Sequence, residues 1–136
     1  MLSNPKHGWC NVNIGDFKGS ANYLEDVPFN CVDAFISYFT KSNNINSIAI
    51  TFDEEGSDFI LVCDYYDTYV IINRDKQKIK HIEDINIRQL AIELLEDLER
   101  DFDAWVNWLS YDEPDEGREE NLRNRIEELR ELVNEF

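Results

Sequence analysis

Apart from carboxylates, the side chains that most often carry chemistry are few in this chain. There are two histidines, His7 and His81, and three cysteines, Cys10, Cys31 and Cys63. A nucleophilic pair needs a base within hydrogen-bond reach of a hydroxyl or thiol. His7 stands in what reads as a frayed terminus and His81 in a lysine-rich strand, neither beside a serine or cysteine at such a spacing. The cysteines form no Cys-x-x-Cys pair and are odd in number, so neither a disulfide framework nor a zinc knuckle is indicated. Buried, reduced thiols are expected instead. A reactive thiolate needs an electropositive setting, and this chain offers the opposite.

Carboxylates are abundant: 29 acidic residues against 13 basic ones give a net charge of -16. Two acidic stretches contain glycine, Asp53-Glu54-Glu55-Gly56-Ser57-Asp58 and Asp112-Glu113-Pro114-Asp115-Glu116-Gly117. Neither alternates its oxygen ligands as a calcium loop does, so no metal and no cofactor are expected. There is no phosphate-cradling glycine loop and no Gly-x-Ser-x-Gly elbow. With so many acids, a catalytic pair cannot be told from a solvated face, and the chain does not read as an enzyme. Its charge disfavours direct binding of nucleic acid or an anionic membrane and favours a basic protein partner. No apolar run approaches the ~18 residues of a membrane span. Met1 to His7 lacks the apolar centre of a signal peptide. With the reduced thiols, this reads as a cytoplasmic protein.

Any binding face must be positioned by regular elements. Residues 8–14 alternate weakly and read as a strand, followed by a turn-rich connection over 16–30 with a short strand near 20–23. Asn30 suits the N-cap of a helix over 31–40, on which Val32, Phe35, Ile36 and Phe39 share one face. Segments 47–52, 58–64, 68–73 and 77–82 are strand-like, and their short connections force antiparallel pairing. Asn86 can cap a long helix whose apolar stripe runs from Ile87 through Leu98 and Trp105 to Leu109. The acidic stretch 112–117 breaks it. Leu122, Ile126, Leu129, Val133 and Phe136 then form a heptad-like seam, which either folds back on the long helix or serves self-association. The expectation is one α+β domain over 1–136: an antiparallel β-meander packed against helices, with a C-terminal helical hairpin.

The long helix turns Glu93, Glu96, Asp97 and Asp103 away from its stripe. Like charges at i,i+4, such as Glu93 and Asp97, cost a few tenths of a kcal/mol, a cost that a basic partner relieves. Tyr66, with Tyr65 and Tyr69, lies near one hairpin end, and Trp108 sits off the centre of the stripe. Tyrosine and tryptophan are enriched among interface hot spots. Arg74, Lys76, Lys78 and Lys80 alternate within one hairpin and can share a face, within reach of the chain's own acidic helix or of an acidic patch on a second copy.

A small acidic α+β chain with a negative helix face, few catalytic side chains and a first strand opening on His7-Gly8-Trp9 resembles the immunity proteins that bacteria make against polymorphic and contact-dependent growth inhibition toxins. The Gly-Trp pair is similar to a feature of some immunity families. The resemblance implies binding to a cognate toxin domain, often a basic nuclease, and occlusion of its active or substrate-binding site by a monomer or weak dimer. Charge and periodicity nominate Glu93, Glu96, Asp97, Asp103 and Trp108 on the long helix, and Asp53, Glu54, Glu55 and Tyr66 on loops, as the contacts. Two alternatives stand beside this. One is a phage-type mimic of DNA, with carboxylates spaced like phosphates. The other is a structural protein that self-associates through Leu122, Ile126, Leu129 and Val133.

Overall fold

The computed structural model describes residues 1–109 and 115–136, so part of the second acidic stretch, Asp112 to Pro114, lies outside the described residues. The elements run β1 (Leu2–Lys6), β2 (Trp9–Ile14), β3 (Phe17–Asn22), α1 (Val27–Phe39), a 3-10 turn (Lys41–Asn43), β4 (Ile48–Asp53), β5 (Asp58–Cys63), β6 (Thr68–Asn73), β7 (Gln77–Ile82), α2 (Ile87–Arg100), α3 (Phe102–Val106) and α4 (Arg118–Glu135). Two antiparallel meanders result, β1-β2-β3 and β4-β5-β6-β7. The chain is therefore α+β as its pattern implies. Buried residues from both sheets and from the helices form one contiguous core. The sheets meet where the Phe17 ring stands edge-on to Phe59 at 4.9 Å. Gly19 lies over the same ring: a Cβ there would fall 2.5 Å from Phe59 Cε1, so the close approach of β3 requires glycine.

Four expectations need correction. The N-terminal segment is not frayed. It is an edge strand paired to β2, and Pro5 is tolerated because it lies at the irregularity between Ser3 and Lys6, where the register with β2 shifts. His7 and Gly8, both at positive φ, form the two-residue link between Lys6 and Trp9. That is the geometry of a primed hairpin turn, and it explains the His-Gly-Trp sequence in physical terms. Second, α1 starts four residues earlier than Asn30 suggests. Asp26 takes the N-cap position with Pro28 in the first turn, but its carboxylate makes no cap because Arg118 holds it.

Third, the stripe over 87–109 is not one helix. It breaks at Asp101, and the Trp105 indole N–H then donates to the Asp97 carbonyl at 3.2 Å. The break rotates the stripe, so that Trp105, Val106 and Trp108 are buried while Leu109 is exposed. Fourth, Lys80 and Arg74 do not reach the acidic helix. Lys80 pairs with Asp16 and Arg74 with Glu54.

Other expectations hold. Asn86 caps α2 in a capping box with Gln89. Leu122, Ile126, Leu129 and Val133 are buried within the chain, where α4 packs on α1 and α2. The three thiols are free and buried. Burial pushes those of Cys10 and Cys63 up to about 12, and that of Cys31 higher still. None should react with a thiol reagent until the chain unfolds. Labelling rates that track global unfolding in a denaturant series would check this, and fast labelling in native buffer would refute it.

Candidate functional site

The register of β4 to β7 sorts their side chains onto two faces. Ile48, Ile50, Phe52, Phe59, Leu61, Cys63 and Val70 point into the core. The other face carries three cross-strand rows: Ala49–Val62–Tyr69–His81, then Thr51–Ile60–Ile71–Ile79, then Asp53–Asp58–Asn73–Gln77. Its centre is apolar. Ile60, Val62 and Ile71 are half-buried, Tyr69 is 37% exposed and Ile79 is 69% exposed. None of the five packs against the core. A contiguous apolar patch of this kind marks an interaction surface more often than isolated exposed residues do.

Charge and aromatic groups rim the strip. At one end Asp53 and Asp58 are directly opposed across β4 and β5, with Glu55 in the turn between them. Opposed like charges destabilise a sheet. Glu25 stands near both. Burial first, then Asp53 and Asp58, push its carboxyl above the ordinary range. At the other end Asp64 accepts the backbone N–H groups of Tyr66 and Asp67, a side-chain turn that holds Tyr66 outward with 81% of its surface exposed. Tyr65 bridges Tyr66 to Phe136, with ring centroids 5.1 and 6.0 Å away. His81 lies against Tyr69 and within 3.4 Å of Asp67.

The sequence-nominated residues divide. Asp53, Glu55 and Tyr66 rim the strip. Glu54 turns inward, where burial is outweighed by hydrogen bonds from Arg74, the Ser20 N–H and Ser57, leaving its carboxyl below the ordinary range. Asp97 is buried: it accepts the Leu2 N–H at 2.8 Å and the Met1 amine at 2.7 Å, and also pairs with Arg100. Trp108 is buried, donating its indole N–H to the Glu25 carbonyl. These three hold the structure. Glu96 and Asp103 are exposed, and Glu93 is half-exposed, on helices that pack on the core side of the sheets. The structure does not bring them to the strip.

Magnitudes rank the two kinds of contact. Fully burying one aliphatic side chain contributes roughly 1.5–3 kcal/mol. An exposed ion pair contributes about 0.2–1 kcal/mol. The apolar rows therefore dominate any affinity here, while the acids govern encounter rate and partner sign.

Replacing Glu25 with glutamine tests the rim. A carboxyl raised in the fold adds no penalty when both states are protonated and its full penalty when both are ionised. Glu25→Gln should therefore raise stability at neutral pH by about 0.5 kcal/mol, and the gain should vanish as pH falls through about 4.3. Melting curves at neutral pH and at about pH 3 would check it.

Among the described residues no three histidine, cysteine or acidic side chains are grouped to hold a metal, and no helix is long and apolar enough to cross a membrane. No family model, curated protein or solved structure matches this chain.

Proposed function

We propose that this chain is an immunity-type inhibitor that holds a basic toxin domain against the outer face of β4–β7 and occludes that domain's active or substrate-binding site. The observation that carries the reading is the apolar strip of Ile60, Val62, Tyr69, Ile71 and Ile79, bounded at one end by Asp53, Asp58 and Glu55 and at the other by Tyr66. An apolar centre inside a polar rim is the anatomy of a protein interface. Glu93, Glu96 and Asp103 contribute to the long-range field that steers a basic partner. A mimic of DNA has no need of an aliphatic centre, which favours the inhibitor reading over the mimic.

The test is co-expression with the protein encoded immediately upstream. Its C-terminal domain should be toxic alone, and this chain should restore growth and co-purify with it one to one. Absence of toxicity, or rescue without a complex, would overturn the reading.

A further inference from the structure

The open edge of β4 lies beside the strip, and its backbone polarity follows from the hairpin. Glu54 donates its N–H to the Ser57 carbonyl at 2.9 Å. Hydrogen-bonded pairs alternate from there, so Phe52, Ile50 and Ile48 bond to β5, while Ala49 and Thr51 turn their N–H and C=O groups to the open side. Among the described residues no strand or side chain takes those groups. A groove runs along this edge, walled by Asn30, Asp33 and Ser37 of α1, with Glu25 at one end. Asp33 shares its charge with Arg125, but Glu25 has no ion-pair partner among the described residues. The opposite edge, β7, carries Lys78 and Lys80, the kind of guard that keeps edges unpaired. β4 carries no lysine.

We infer that the β4 edge accepts an extended basic segment of the partner as a fifth strand, bonded through Ala49 and Thr51, with its cationic side chains toward Glu25, Asp33 and Asp53. This deepens the inhibitor reading and rests on it. Strand addition draws affinity from main-chain bonds and specificity from alternate side chains. The lysines of β7 repel the same segment, which assigns it to one edge. A second copy could offer β7 as its basic strand, but each copy carries a net charge of -16, which opposes that assembly.

The probe is a blocked heptapeptide of alternating lysine and valine, with a glutamate–valine peptide as control. The lysine peptide should bind and slow hydrogen exchange at the amides of Ala49 and Thr51. Thr51→Pro removes an N–H that serves no β5 bond, so melting should hold while peptide binding weakens roughly tenfold or more. A peptide N-methylated at alternate amides should also fail to bind. Equal binding by Thr51→Pro, protection appearing on β7, equal binding of the glutamate peptide, or self-association that Thr51→Pro abolishes would each overturn the inference. If Thr51→Pro still captures the toxin domain while Ile71→Arg does not, the edge inference fails and the inhibitor reading survives. If both variants capture it normally, both fail.

Discussion

Ile71→Arg is expected to weaken capture of the toxin domain on the order of a hundredfold while leaving the fold intact. Ile71 occupies the middle row of the strip between Ile60 and Ile79. Central apolar anchors cost roughly 2–4 kcal/mol when lost from an interface, and each 1.4 kcal/mol is about tenfold in affinity. Arginine adds a charge that a basic partner repels. The unbound chain is barely affected, because Ile71 does not pack against the core and surface substitutions usually change stability by about 0.5 kcal/mol or less. The loss should appear as faster dissociation. Glu96→Lys with Asp103→Lys should instead slow association a few-fold, with an effect that fades as salt rises. Surface plasmon resonance at two salt concentrations separates the two, and an Ile71→Arg complex as long-lived as wild type would remove the strip from the interface. Asp97 is unsuitable for such a test, because reversing its buried charge would unfold the chain rather than probe its surface.

The elements were largely legible in the sequence, but the site only in part. The four strands of the second meander fall where the apolar runs and short turns place them, and Asn86 with Gln89 announces the start of α2. The strip left a signal too. Phe59 to Cys63 and Tyr69 to Ile72 are apolar at both parities, the mark of strands with two apolar faces. Only the arrangement of the helices shows that, among the described residues, no helix covers one of those faces, and that arrangement is tertiary. The charge density of the sequence singles out α2, where the acids are dense. It could not show that Asp97 is spent on Leu2, or Glu54 on Arg74, because these pairs span 95 and 20 residues. β1 was hidden by low strand propensity, since Ser3, Asn4 and Pro5 are poor strand formers and the strand is held by the pairs that Leu2, Ser3 and Lys6 make with β2, with Asn4 and Pro5 at the register shift between them.

Arg118 is the largest such long-range dependence, and replacing it should have the largest effect on stability. Its side chain is 7% exposed. The guanidinium binds Asp26 through two bonds of 2.7 and 2.9 Å, donates to the carbonyls of Val106 and Trp105, and lies 4.8 Å from the centre of the Phe29 ring. One group thus ties the start of α1, the end of α3 and the start of α4. Arg118→Met leaves a carboxylate and two carbonyls without their donor, and removing one partner of a buried pair costs about 3–5 kcal/mol. With a urea m-value of about 2 kcal/mol/M for a chain of this size, the midpoint should fall by roughly 2 M. Arg118→Lys should recover little, because an ammonium cannot reproduce the fork. Arg118→Met combined with Asp26→Leu should recover much of the loss, because the stranded carboxylate is then gone and the pair's coupling is removed from both sides. A single-variant loss below about 1 kcal/mol would show that water replaces the lost donors at this junction. The junction also bears on binding: Asp26 is adjacent to Glu25, so the contact that anchors α1 fixes the carboxylate at the end of the β4 groove.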